Sequence, residues 1–292
     1  MVPQNLITAL PFWDAKEKQT FRAFYCKGVE QIGAIQCRYD RMLPWTIQGH
    51  SSAPTYVYLV TQDGSAALNI TSLLTTAGLT ENGINYRYHS GALDINQAAG
   101  VQDYRWVSGA WQANTTKTWS DFVCDGGYYY LEVSFGGTKY YSELMRVVDF
   151  PEFSEGPGTN ASRVRIEAYS TCLLVDFPAG GTSQKLFIDA ATSEPEYVTD
   201  REVAKDGNEE ESVLWAKVKK VYKVQWLAPE TVADFIATLP LYNIVNVTDQ
   251  NGFQSAVTDV GYKITWTEDG GGCLALVEFT YTVEAITTTW CC

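Results

Sequence analysis

Alternation with a period of two dominates the polar and apolar pattern of the chain. It is clearest in GGYYYLEVSFGGTKYYSE, Gly126 to Glu143. A two-residue turn at Gly136-Gly137, which supplies positive φ at no steric cost, folds this stretch into a hairpin. That turn sets Phe135 opposite Thr138, Val133 opposite Tyr140, Leu131 opposite Ser142 and Tyr129 opposite Leu144. The other face pairs Ser134 with Lys139, Glu132 with Tyr141 and Tyr130 with Glu143. Alternate tyrosines therefore point to opposite sides. Two readings follow for the outward set, Tyr128, Tyr130 and Tyr141. They are cross-strand aromatics that stabilise a sheet, or an exposed patch at a protein–protein contact.

Further short strands run through the first half. FRAFYCKG and GAIQCRYD have strand composition, and Pro44 opens MLPWTIQ. APTYVYLVTQDGSAALNITSLL reads as strand, Asp63-Gly64 turn, strand. INYRYHSGALDI and QDYRWVSGAWQ add strands punctuated by glycine. This spacing predicts an immunoglobulin-like or fibronectin-like β-sandwich over 42–150, preceded by an N-terminal arm with strands over 1–41. DFPEFSEGPGTNAS lacks periodicity and carries two prolines, which predicts a linker over 151–162. A second β-rich domain over 163–292 follows. Its strands include the long VLWAKVKKVYKVQWLA and turns at Gly180-Gly181, Gln250-Asn251-Gly252 and Asp269-Gly270-Gly271-Gly272. APETVADFIATLP predicts its one helix near 229–239. Pro229 fits the first position, Pro240 stops it, and Val232, Phe235, Ile236 and Leu239 form a core-facing stripe. The acid-rich stretch from Glu194 to Glu211 reads as a long exposed loop or an extended hairpin. Its oxygen ligands lack the spacing of a calcium loop. The fold class is thus mainly β, with one short helix.

Composition fits this picture. The chain has 292 residues and is 46% hydrophobic, enough for two ordinary cores. Tyrosine and tryptophan are abundant, at 18 and 9, which suits sheets with sizeable contact surfaces. A net charge of −13 opposes binding to phosphate backbones or anionic lipid, so neither nucleic acid nor a membrane surface is an expected partner. No window approaches the roughly 18 consecutive apolar residues of a membrane span. The N-terminus lacks the basic and apolar segments of a signal peptide, which predicts synthesis in the cytoplasm. The four N-x-S/T triplets, at Asn69, Asn114, Asn160 and Asn246, then carry no meaning as glycan acceptors. Seven cysteines, an odd number with no CxxC pair, predict reduced structural thiols.

Catalytic motifs are not evident. The two histidines, His50 in QGHSSAP and His89 in YRYHSGA, lack the context of a nucleophilic triad. GTKYYS lacks the spacing of a phosphate loop. No cofactor or metal is expected. Paired carboxylates, as in glycoside hydrolysis, are the remaining enzymatic route, but 34 acids guarantee pairs without marking any. Trp106, Trp111 and Trp119 lie close together in YRWVSGAWQANTTKTWS. They predict either a stacking platform for a glycan or a packed rim between sheets.

Several elements resemble a family of virion structural proteins, of the tail or baseplate type, from phages and prophages of Bacteroidota. LFIDAATSEPEY, with Asp189, Pro195, Glu196 and Tyr197, matches that family's YLD…PEY strand. WLAPETVADFIATLPLYNIVNVTDQNG matches its LAPE helix start, at Leu227, Ala228, Pro229 and Glu230, and the V.ITD..G strand that follows. LPWTIQ and YYYLEVSFGGTKYYSELMRVV match N-terminal elements, although Phe135-Gly136 stands where Asp-Gly is usual. The resemblance covers most of the chain and is mostly structural. It implies a non-enzymatic part of the particle, made in the host bacterial cytoplasm and carried in the virion tail. Its partners would be other virion proteins and copies of itself. It implies no catalytic residue. The competing expectations are an adhesin that binds a host-surface glycan and a carboxylate-dependent glycoside hydrolase.

Overall fold

The computed structural model describes residues 10, 12–13, 34–38, 41–42, 45–48, 54–73, 79–81, 86–89, 93–148, 164–170, 182–188, 190–205, 211–266 and 274–289. The protein is mainly β. Its first half supplies strands β1 (Phe12–Trp13), β2 (Ile35–Arg38), β3 (Arg41–Met42), β4 (Thr46–Gln48), β5 (Tyr56–Thr61), β6 (Ala66–Asn69), β7 (Leu79–Glu81) and β8 (Tyr86–His89). These are followed by β9 (Leu93–Asp94), β10 (Val101–Val107), β11 (Ala110–Lys117), β12 (Tyr128–Phe135), β13 (Thr138–Ser142) and β14 (Met145–Val148). A one-turn helix, α1 (Trp119–Phe122), sits between β11 and β12. The second half supplies β15 (Val164–Ser170), β16 (Thr182–Ile188), β17 (Glu196–Lys205), β18 (Glu211–Pro229), β19 (Ile244–Thr248), β20 (Gln254–Ala256), β21 (Asp259–Trp266) and β22 (Leu274–Thr289). Helix α2 (Glu230–Thr238) follows β18 directly and runs into a 3-10 turn, Leu239–Leu241.

The largest sheet has the order β11-β10-β6-β5-β12-β14-β2-β16-β15-β19-β20. β5, β6, β10 and β11 lie antiparallel side by side, with β7, β8 and β9 falling between β6 and β10 in the chain, and β12 returns antiparallel beside β5. β2, from the N-terminal region, runs parallel to β14 and also meets β16, so the two halves of the chain share this sheet. Their buried side chains form one apolar cluster, from Leu10 and Trp45 to Phe235 and Phe279. The expected linker over 151–162 lies outside the described residues. A three-stranded sheet, β4-β8-β7, and a four-stranded one, β17-β18-β22-β21, complete the fold.

The tyrosine hairpin forms with the register expected near its turn. Phe135 pairs with Thr138, Val133 with Tyr140, Ser134 with Lys139 and Glu132 with Tyr141, and both glycines have positive φ (56° and 97°). The ladder departs from expectation farther on. Tyr129 pairs with Met145 in β14, not with Leu144. The reason lies at Ser142: its hydroxyl accepts the Leu131 N–H at 2.8 Å and donates to the Glu143 carbonyl, while Ser142 itself pairs with Phe12. The chain thus kinks between β13 and β14.

Helix α2 begins at Glu230, one residue later than expected, because Pro229 is its extended N-cap and still pairs with Leu274. Its stripe Val232, Phe235, Ile236 and Leu239 is buried as predicted. The acid-rich stretch from Glu194 takes the hairpin form in β17 and β18; residues 206–210 lie outside the described set.

Candidate functional site

The expected site residues divide between two faces of the large sheet. Facing away from the main core, β5, β6, β12 and β13 bring Tyr58, Val60, Ala67, Tyr130 and Tyr141 into a second buried cluster, against which Tyr56, Tyr104 and Trp111 pack. Tyr130 and Tyr141 are only 3% and 8% exposed, so these two tyrosines present no open patch. Tyr128, at the start of β12, is half-buried. The cause is tertiary. Tyr130 lies opposite Val60, Tyr141 lies opposite Trp13 of β1, and their rings sit 6.4 Å apart. Burial, together with the charge of Glu132, pushes the Tyr141 phenol up to about 12.

Glu132 anchors this face and went unrecognised in the sequence. It is 2% exposed and lies between tyrosine-bearing strands. Its carboxylate accepts from the Tyr56 hydroxyl at 2.8 Å and from the Trp111 indole N–H at 3.4 Å, and it meets the Lys139 ammonium at 2.8 Å. A buried charge needs this many partners, because an unpaired one costs several kcal/mol. Desolvation opposes the charge on Lys139, but the contacts to Glu132 and Tyr56 outweigh it and raise its pKa above the ordinary value. The only sequence signal is an acid at an alternating position inside a largely apolar strand.

An aromatic ladder crosses the same face. Tyr56 stacks on Tyr58 (centroids 4.1 Å apart), Tyr58 on Tyr104 (5.0 Å), and Trp111 meets Tyr58 edge-on at 6.3 Å. Trp106 ends the ladder edge-on to Trp111 at 4.9 Å and is 41% exposed. Trp119, the third expected stacking residue, is not part of this surface. The capping box between Thr118 and Asp121 starts α1, and that helical turn drives Trp119 fully into the main core. Two of the three tryptophans therefore share a surface. On the core face below the ladder, Asp103 holds the irregularity in β10. It accepts from the Thr115 N–H (2.5 Å), the Thr115 hydroxyl (2.8 Å) and the Asn114 amide (3.2 Å).

A different surface lies on the four-stranded sheet. On the N-terminal side of Val224, which is buried, β18 runs back to Glu211; Val213 is exposed and residues 215–223 are half-buried, and the strand is flanked there by β17 and the far half of β22. At about 3.3 Å per residue this arm is roughly 43 Å long. One face is laced by ion pairs, Lys217–Glu284, Lys219–Asp200 (2.5 Å) and Lys223–Glu278 (2.7 Å). Large apolar side chains stand exposed around the sheet, among them Tyr197, Tyr262, Trp266, Leu227 and Leu276. Alternation predicted these strands but could not tell that so many of their apolar positions are uncovered.

Among the described residues no group of three or more His, Cys, Asp or Glu side chains is arranged to hold a metal ion. Cys37 is buried and Cys124 is exposed; the other cysteines and His50 lie outside the described residues. No described helix is long and apolar enough to cross a membrane. Comparison with protein-family models, with curated proteins and with solved structures finds no match to this chain.

Proposed function

We propose that this protein is a non-enzymatic virion component, of the tail or baseplate type, that works by binding copies of itself and other particle proteins. The observation that carries the reading is the four-stranded sheet, which leaves large aromatic and aliphatic side chains exposed both on the arm, at Tyr197, Val198 and Val213, and at its core end, at Tyr262, Trp266, Leu227 and Leu276. Large apolar side chains left uncovered on a sheet mark contact sites. The family resemblance of the hairpin and of the Leu227–Glu230 helix start points the same way. In this reading residues 42–150 form an immunoglobulin-like platform, supported by the return of β12 beside β5, and the arm reaches a neighbour. The protein is made in the host bacterial cytoplasm and ends in the virion. Purified particles, examined by mass spectrometry and cryo-electron microscopy, test this. Stoichiometric chain in the tail is the expected result; chain in the lysate but not in particles would overturn it.

A second reading rests on Trp106, the exposed end of the aromatic ladder, as a stacking surface for a host-surface glycan. Glycan-array binding that is lost in Trp106→Ala is its expected signature. An array that stays blank refutes it.

A further inference from the structure

β21 is the terminal strand of the four-stranded sheet, with β22 paired along its inner side. Among the described residues nothing pairs with its outer side. Sheet edges are normally guarded by charge, proline, bulges or shortness, because bare backbone groups invite another strand. The opposite edge, β17, is guarded: it carries Glu196, Asp200, Arg201, Glu202 and Lys205 and a register shift after Glu202. β21 has no proline, and its pairing with β22 is regular throughout. Its even-numbered residues, Val260, Tyr262, Ile264 and Trp266, set an apolar row on one face. Tyr262 and Trp266 are both 47% exposed, and Leu241, from the 3-10 turn packed on this strand, is 49% exposed.

We propose that the outer edge of β21 pairs antiparallel with β21 of a second copy of this chain, about a two-fold axis at Gly261. An axis normal to a sheet must pass through a residue that faces itself, since paired residues point to the same side. Centring on Lys263 would stack two ammonium groups. Centring on Tyr262 leaves Asp259 opposite Thr265. Centring on Gly261 sets Asp259 opposite Lys263 of the partner subunit, twice by symmetry, and Val260 opposite Tyr262 of the partner subunit. Opposite charges directly across a ladder stabilise it and like charges oppose it. Glycine at the centre leaves no side chain where the two strands first meet. The four strands of each copy then form one continuous sheet, and the apolar rows of both copies adjoin on the same face.

This deepens the assembly reading by naming one contact. Its test uses the purified intact chain, so it stands or falls separately from the chain's presence in particles. Sedimentation equilibrium is measured for the wild type, Asp259→Lys, Lys263→Asp and the double swap, each checked for folding by circular dichroism. Both substituted positions are exposed, so folding is expected to survive. The expected result is a wild-type dimer, with each single variant weakened roughly tenfold because two attractive pairs become repulsive. The double swap should return to near wild-type affinity. A wild-type chain that is monomeric at every attainable concentration overturns the proposal. So do single variants with unchanged affinity, and so does a double swap as weak as the singles.

Discussion

Truncation on each side of β12 separates a strand that is core on both faces from one that shows a face to solvent. Leu131 is fully buried in the main cluster, and its neighbour Tyr130 is 3% exposed in the second cluster. Leu131→Ala removes buried methyl groups and leaves a cavity, for an expected loss of about 2–5 kcal/mol. Tyr130→Ala removes a larger ring that packs with Tyr141, Val60 and Ala67. Burying an aromatic side chain in a core is worth about 3–5 kcal/mol in such truncations. The second cluster is smaller, so the lower part of that range, about 3–4 kcal/mol, is expected for Tyr130→Ala. Urea denaturation of the intact chain, followed by far-ultraviolet circular dichroism, gives both values if the slopes match that of the wild type. Both variants should unfold at clearly lower urea. If Tyr130→Ala stays within about 0.5 kcal/mol of wild type, as an ordinary surface substitution does, the upper face is not packed and its placement here is wrong.

Three other outcomes follow from local geometry. Gly127→Ala should destabilise strongly, because a Cβ there would lie 2.6 Å from the Tyr129 ring and 2.9 Å from the Cys124 carbonyl; a melting temperature equal to wild type would refute this. Burial alone would raise the Asp103 pKa, but the Thr115 and Asn114 hydrogen bonds hold it below the usual carboxylate range. Its stabilisation is therefore present above the unfolded value and lost as pH falls through the folded one, below about pH 4. Asp103→Asn should cost about 1–3 kcal/mol at neutral pH and flatten that acid limb; acid limbs of equal steepness would contradict it. Burial raises the pKa of Tyr130, Tyr242 and Tyr281, so above about pH 10 the unfolded chain gives up phenolic protons that the fold retains, and stability falls as pH rises. Tyrosinate absorbance should then show a set of tyrosines that ionises only together with unfolding, and a single smooth titration without unfolding would count against their burial.

Local chemistry made much of the secondary structure legible. The two glycines at 136–137 need only their own φ freedom to close a hairpin, and they fix the register of the residues beside them. The stripe from Val232 to Leu239 needs only helical periodicity and a proline at each end. The hinge after Ser142 was not legible, since it depends on a hydroxyl displacing a backbone partner and on β1 arriving from more than a hundred residues earlier. Covering a strand's second face is likewise a long-range event. Glu132 has its carboxylate satisfied by Tyr56, 76 residues away, and no local pattern distinguishes such an acid from a solvated one. Trp119 and Trp106 look alike in the sequence; one helical turn buries the first, and a place at the end of a ladder exposes the second. β21 carries the alternation of a core strand, and only its position at the end of a sheet leaves Tyr262 and Trp266 uncovered. Period-two patterning determines which residues share a face, because that follows from backbone geometry within the strand. What lies against that face is decided by distant segments, through burial energies that no single stretch of the chain contains.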